Sequence, residues 1–384
     1  MFSTLLIIYQ AGVFNNLLLR NKAYNQNTYV PALIYVILMN SYFDFTTLSP
    51  ILMSMTFNLL AINNVFKRMD NTTQDSLFVY TGIFLGIATL FFLPSFLFLM
   101  VTLFSLLIYT GSILRRLFLL MYGLGVVLGF ASLYYYWNDA QGYFHSFFYA
   151  SLYEISSYQF VPKSNLWWAA MVPLSILFFS IFKMFQNGRY INFQIKIQYV
   201  MFFYLIAGFV SILVVKDVST FQLIALVPFI TFFVSHYLLT IRNWIVTEAS
   251  AVVIFALIFI NQGIAEKGIL FFNAYLNYEE LIVPPGSPKL LAGKKLLVLG
   301  ENIGRYQGAH LATPFLNWQL SSEIIQNTNY YDNLGLIYDE FKKDPPDIIL
   351  DESHALPAIA DRIPWIKNQY VISTDNPQLY FRKN

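Results

Sequence analysis

The chain has 384 residues, of which 57% are hydrophobic and only 11% are charged. A soluble protein carries about 25% charged residues, so this composition excludes an ordinary soluble protein and predicts a membrane protein. The net charge of +2 is too balanced to suggest a nucleic-acid partner. Because the chain has no cysteine, disulfides and thiolate metal sites are excluded.

Apolar segments follow one another as far as residue 263, and we expect about ten transmembrane helices. The segments are Thr4–Leu19, Val30–Phe43, Leu48–Phe66, Leu77–Leu93, Ser95–Thr110, Leu117–Trp137, Leu166–Phe185, Gln198–Val215, Thr220–Leu239 and Trp244–Gly263. The last one is long enough to cross the hydrocarbon core, and its only ionisable side chain, Glu248, lies near one end.

The connections between these segments predict their orientation. If the first segment runs from outside to inside, most of the basic side chains fall on the inner side, as the positive-inside rule requires. Those are Arg20, Lys22, Lys67, Arg68, Arg115, Arg116, Lys183, Arg189, Lys196 and Arg242. Only Lys163 and Lys216 then lie outside. We therefore expect both termini on the outer face of a bacterial inner (cytoplasmic) membrane.

A change of composition near residue 266 predicts two domains: a transmembrane domain, residues 1–266, and a periplasmic α/β domain, residues 267–384. In the second domain we expect strands at Lys294–Glu301, Ile348–Asp351, Tyr370–Ser373 and Gln378–Arg382. Helices are expected at Leu311–Gln326 and Tyr331–Lys343. The fold class is thus a mainly α-helical polytopic membrane protein with a small C-terminal α/β domain.

Two external pieces and one strand end carry polar groups that could have a function. The aromatic-rich loop Asn138–Ser164 suits either an interfacial helix or an aromatic anchor at the membrane surface. Asp44 lies in a short outer turn and is either a solvated loop residue or a functional acid. Asp351, Glu352 and His354 end a predicted strand, where ordinary turn polarity and a metal site are both open interpretations.

Residues Thr81–Phe98, TGIFLGIATLFFLPSFLF, resemble the TG-x-x-x-G-x-A-x-L helix and the following helix of the GT-C superfamily. These are membrane glycosyltransferases that use polyprenyl-phosphate sugars. The order of the tail is also similar, from the strand ending in Gly-Glu to Asp344-Pro-Pro-Asp and the last strand. The chain also resembles an uncharacterised Bacteroidetes membrane family with GT-C-like features. Compared with the GT-C pattern, we expect the first helix and its acidic loop to be missing here.

The resemblance implies transfer of a sugar from a polyprenyl-phosphate donor to an acceptor outside the cytoplasm, with inversion. Such a reaction needs a base and positive charge near the departing phosphate. The outside carboxylates Asp44 and Asp139 are the candidate catalytic residues, and Lys163 and Lys216 are the candidate lipid-phosphate ligands. No cofactor is expected, apart from a divalent metal in the case of an active glycosyltransferase. Membrane lipids and envelope proteins are the other expected partners.

Whether the chain is an enzyme stays open at this point. The alternative is a non-catalytic scaffold or subunit of an envelope membrane complex, which the missing acidic loop favours. A transporter is the third hypothesis, but no internal repeat is evident and few ionisable residues lie well inside a segment.

Overall fold

The computed structural model shows a mostly helical chain with one small sheet near its C-terminus. It describes residues 2–24, 26–70, 75–109, 113–138, 140–142, 144–145, 148, 163–186, 190–215, 219–268, 276, 293–306, 308–313, 315–373 and 376–383. The chain divides into two compact units, Met1–Asn277 and Tyr278–Asn384. The predicted domain boundary between residues 266 and 267 lies near this division.

Each of the ten predicted apolar segments contains a helix in the first unit. The helices are α1 (Phe2–Arg20), α2 (Val30–Met39), α3 (Pro50–Asp70), α4 (Ser76–Phe91), α5 (Phe96–Tyr109), α6 (Ile113–Trp137), α7 (Lys163–Gln186), α8 (Asn192–Val214), α9 (Val227–Thr240) and α10 (Trp244–Lys267). Between helices of the described residues lie 3-10 segments at Phe43–Thr46, Leu93–Ser95 and Thr220–Leu226. Below, the first is called the Asp44 turn and the last the Thr220 turn.

Within the described part of the chain, six helical stretches are long and apolar enough to cross a membrane. They are Phe2–Arg20, Leu114–Trp137, Asn165–Gln186, Asn192–Val214, Thr220–Thr240 and Trp244–Lys267. The helices α2, α4 and α5 are apolar but shorter, so the structure supports a membrane protein without fixing the number of crossings at ten. Helix α10 contains the whole of the predicted span Trp244–Gly263.

Glycines let α4 and α6 approach each other closely. A Cβ added at Gly82 would lie 2.1 Å from the carbonyl oxygen of Leu120, and one added at Gly123 would lie 2.2 Å from that of Val79. Any larger residue at either position would force the helices apart. The TG motif of α4 therefore has a packing role in this fold.

Several contacts in the first unit join helix ends that the charge pattern predicts to lie on the inner side of the membrane. Arg115 at the start of α6 pairs with Asp75 before α4, at 3.1 Å. Asn21 after α1 donates to Asn63 of α3 at 3.4 Å. The Gln194 side chain of α8 donates to the carbonyl oxygen of Lys22 at 3.4 Å. The connections that carry the basic residues thus meet one another.

The second unit is built on a five-stranded sheet. Its strands are β1 (Lys295–Leu299), β2 (His310–Leu311), β3 (Ile348–Asp351), β4 (Tyr370–Ile372) and β5 (Leu379–Arg382). Their order is β2-β1-β3-β5-β4, with β1 parallel to β2 and β3, and β5 antiparallel to β3 and β4. All four predicted strands are confirmed, and the structure contains one more strand, β2, that was not predicted.

Helices pack on one face of this sheet. They are α11 (Trp318–Gln326), α12 (Tyr331–Lys343), α13 (Leu356–Arg362) and α14 (Pro364–Gln369). Leu297, Leu299 and Ile349 point from the sheet into one apolar core with Ile337 and Phe341 of α12. On the other face, Leu296, Val298, Ile348 and Leu350 form a second buried cluster. The alternation along β1 and β3 is that of strands buried on both faces.

One predicted helix was too long at its N-terminus. The prediction began at Leu311, but residues His310–Leu311 pair with β1 as β2. Thr313 has φ of +69°, which a helix cannot accommodate. Helix α11 starts only at Trp318, after Asn317, whose side chain accepts a hydrogen bond from the backbone N–H of Leu320 at 3.4 Å.

Candidate functional site

Asp44 occupies a fixed position in its turn. Its carboxyl group is half-buried and accepts a hydrogen bond from the hydroxyl of Thr220, a buried residue at the start of the Thr220 turn. The hydroxyl of Thr47 donates to the Asp44 carbonyl oxygen at 2.6 Å and closes the turn. The Asp44 turn is thereby joined to a segment 176 residues further along the chain.

A narrow apolar cleft lies beside the Asp44 turn. The space between its walls, counted together with the part that is open to the surroundings, is about 340 Å³. Helices α2, α7 and α9 and both named turns line it, through Leu38, Ser41, Tyr42, Phe45, Ala170, Pro173, Leu174, Leu223, Leu226, Val227 and Ile230. Tyr42 and Phe45 flank Asp44 in sequence, so the carboxyl group belongs to the turn that forms one wall of the cleft.

A second apolar space of about 250 Å³ adjoins the first. Both are lined by Ala170, Leu223 and Leu226, and the second reaches α8 through Phe209 and Ile212. The walls offer few hydrogen-bonding groups, so this region suits an apolar ligand rather than a sugar ring.

Helix α7, which also lines the cleft, carries a proline in its interior. Pro173 of α7 has no backbone N–H, which leaves the carbonyl oxygen of Ala169, four residues earlier, without its helical partner. The hydroxyl of Tyr42 donates to this oxygen at 2.6 Å, and the side-chain amide of Asn261 donates to it at 3.1 Å. The same amide donates to the Tyr42 hydroxyl oxygen at 2.6 Å.

These three groups form a closed polar junction among apolar helices. Tyr42, Ala169 and Asn261 are all buried, with at most 7% of their surface exposed. They join the segment before the Asp44 turn to α7 and α10. Since a buried carbonyl without a partner is costly, the junction compensates for the proline that shapes the cleft.

The structure describes only part of the site predicted from the sequence. Asp44 is described, and its turn lines the cleft through Phe45. Lys163 is the first residue of α7, but its side chain lies outside the described residues. Asp139 and Lys216 lie outside them as well, as does most of the predicted interfacial loop Asn138–Ser164. The structure therefore leaves the predicted grouping of carboxylates and lysines untested.

A second polar cluster surrounds His236 near the C-terminal end of α9. The imidazole Nε2 lies 2.8 Å from the Gln198 side-chain nitrogen, and the ring meets those of Tyr24 and Tyr190 edge-on. The hydroxyl of Thr240 lies 3.4 Å from Nδ1. Gln198 lies on α8, Tyr24 and Tyr190 lie in two loops, and Thr240 lies on α9 itself.

The strand end in the second unit is a helix cap. Asp351 is almost fully buried, and its carboxyl oxygens accept hydrogen bonds from the backbone N–H groups of Ala355 at 3.1 Å and Leu356 at 2.9 Å. Those groups begin α13, so the carboxylate stabilises the helix N-terminus. Glu352 beside it pairs with Arg305 at 3.5 Å. Across the described residues, no group of three or more His, Cys, Asp or Glu side chains is arranged to hold a metal ion.

Sequence reasoning missed the hydrogen bonds that Tyr42, Asn261 and Thr220 make at the candidate site. Pro173 inside an apolar run was a usable signal, since it requires a donor for the carbonyl of Ala169. Asn261 was a second signal, because a polar residue in an apolar span usually has a specific partner. Nothing in the sequence pairs Asn261 with Ala169, which lies 92 residues earlier.

Comparison with known proteins gives no relative. The chain matches no protein-family model, no curated protein and no solved structure.

Proposed function

We propose that the chain is an integral membrane protein that transfers a sugar from a polyprenyl-phosphate donor to an acceptor outside the cytoplasm, with Asp44 as the general base. In this proposal all ten predicted segments cross the inner membrane of a bacterium, and the second unit lies in the periplasm. Lys163 and Lys216 hold the donor phosphate, and Asp139 is the alternative base. The likeness of Thr81–Phe98 to the GT-C helix motif supports the reaction class.

The observation that carries the proposal is the position of Asp44. A polyprenyl-phosphate donor has an apolar chain and a polar reacting end. The first unit offers an apolar cleft between helices, and the turn that carries Asp44 forms one wall of it. A lipid chain in the cleft would bring its phosphosugar close to the carboxylate.

The chemistry is an inverting displacement. Asp44 takes the proton from an acceptor hydroxyl as the oxygen attacks the anomeric carbon. The bond from that carbon to the phosphate oxygen breaks, and polyprenyl phosphate leaves with the bonding electron pair. Positive side chains beside the phosphate stabilise the charge that develops on it. Thr220 orients the carboxylate through its hydroxyl hydrogen bond.

Asp44→Asn tests the assignment. Loss of a general base costs a factor of about 10²–10⁴ in rate, so glycan transfer by membranes carrying the variant should fall by that factor while membrane insertion is unchanged. Asp75→Asn is the matched control, because Asp75 is a carboxylate of the same unit that pairs with Arg115 beyond the cleft-lining segments. Undiminished transfer by Asp44→Asn would remove the catalytic assignment.

The Asp44–Thr220 hydrogen bond also favours the second candidate, a non-catalytic scaffold of an envelope complex, since it joins two turns as a purely structural contact would. Thr220→Val separates the two. If Asp44 is only structural, Asp44→Asn and Thr220→Val should have equal effects on stability and neither should change envelope glycans. If it is the base, Thr220→Val should keep most of the transfer that Asp44→Asn loses.

A further inference from the structure

Pro173 leaves one carbonyl oxygen of α7 without its helical donor, and other segments of the first unit supply the donors instead. In the interior of an α-helix, each carbonyl oxygen normally accepts one hydrogen bond, from the N–H group four residues further along the chain. At Pro173 that donor is absent, and the oxygen of Ala169 accepts two hydrogen bonds from other segments instead. One donor, Tyr42, directly precedes the Asp44 turn. The other donor, Asn261, lies on α10, which packs against α7.

The junction uses both hydrogens of the Asn261 amide, one on Tyr42 and one on Ala169. The Tyr42 hydroxyl donates one bond and accepts another. Removing either side chain would therefore leave a buried polar atom short of a partner, and the segments could relieve this only by shifting.

We propose that Tyr42 and Asn261 are positioning residues for Asp44. They bind the carbonyl freed by Pro173 and so fix the Asp44 turn against α7 and α10 at the cleft. The proposal rests on the proposed function for its effect on catalysis, but its structural part stands apart from it. Tyr42 and Asn261 act through the backbone of the turn; neither is assigned contact with the reacting atoms.

The absence of cysteine in the chain allows a direct test. Spin labels are attached to cysteines introduced at Leu48, just past the Asp44 turn, and at Leu114 on α6, which are 55% and 69% exposed. The distance distribution between the labels then reports the position of the turn. It should be narrow in the otherwise unchanged protein and clearly broader in Tyr42→Phe and in Asn261→Leu.

Pro173→Ala separates a tether from an unpaired carbonyl. It gives the Ala169 carbonyl a helical donor but does not restore the hydrogen bond of the turn, so the combination of Tyr42→Phe with Pro173→Ala should keep the broad distribution. Tyr204→Phe is the matched control, since Tyr204 is also a buried tyrosine that shares a hydroxyl hydrogen bond, with Thr102 at 2.6 Å. It should leave the distribution unchanged.

Glycan transfer is measured on the same variants. Displacement of a catalytic group by about 1 Å can cost roughly 10²-fold, so Tyr42→Phe should lower kcat by a factor of roughly 10–10² and leave KM nearly unchanged. An unchanged distance distribution in Tyr42→Phe, or broadening that Pro173→Ala reverses, overturns the positioning role. Full transfer by Asp44→Asn overturns the catalytic role of Asp44 instead, so the two failures are distinguishable.

Discussion

At the scale of single residues, the molecule repeatedly uses a side chain to replace a missing backbone partner. Tyr42 and Asn261 do so for the carbonyl that Pro173 leaves free. In the second unit, Tyr306 does so at the edge of β1. Because β2 covers only the first two residues of β1, no other strand among the described residues pairs with the later part of that edge. The Tyr306 hydroxyl accepts from the Val298 N–H at 2.8 Å and donates to the Val298 carbonyl at 3.3 Å.

Tyr306→Phe should therefore destabilise the second unit. Burial raises the pKa of the Tyr306 hydroxyl, which keeps it protonated and able to both donate and accept at neutral pH. Removing it leaves a buried N–H and carbonyl without this partner, at a cost of about 1–3 kcal/mol. Hydrogen exchange of the Val298 amide should become faster. Tyr331→Phe, at a position 84% exposed, is the control, and equal exchange rates in both variants would contradict the edge-capping role.

At the scale of elements, the second unit was the easier part to predict. Short apolar runs bounded by polar or proline-rich sequence marked every strand except β2, whose two residues have no pattern of their own. In the first unit, hydropathy predicted where the helices lie but not where a predicted span departs from α-helical geometry. The span predicted at Thr220–Leu239 begins as a 3-10 turn and becomes α-helical only at Val227, where Pro228 occupies the first turn.

The candidate site was predictable only in part, for a physical reason. Asp44 could be singled out because an acid at the outer end of apolar segments is rare in this composition. Its partner Thr220 and the junction of Tyr42 with Asn261 depend on contacts 176 and 219 residues apart. Such contacts are fixed by helix packing, which hydropathy does not encode.

The strand β3 offers a test at this scale. Ile349 is fully buried and pairs with Leu297 of β1 and Tyr380 of β5 at the centre of the sheet. Ile349→Asp would bury an unpaired carboxylate at a cost of several kcal/mol, so the amides of β1 and β3 should lose most of their exchange protection. Ile372→Asp, on the edge strand β4 and 50% exposed, should lose little. Equal protection in the two variants would contradict the central position of β3.

At the scale of the whole molecule, the distribution of charge is the strongest constraint. Ten of the twelve basic residues in the first 266 lie in connections assigned to one side of the membrane. The contacts of Asp75 with Arg115 and of Lys22 with Gln194 bring several of those connections together. A chain with this pattern should insert with those ends in the cytoplasm.

The position of the second unit follows from this orientation and from the number of crossings. With ten crossings and the first segment running inward, the end of α10 and residues 267–384 lie in the periplasm. A reporter enzyme that is active only in the periplasm, fused after Asn384, should therefore be active. The same reporter on a chain that ends after Arg242 should be inactive, because that residue lies in the last inner connection. Activity of the second fusion and inactivity of the first would reverse the orientation. Activity of both, or of neither, would show that Trp244–Lys267 does not cross the membrane, and would exclude ten crossings with it.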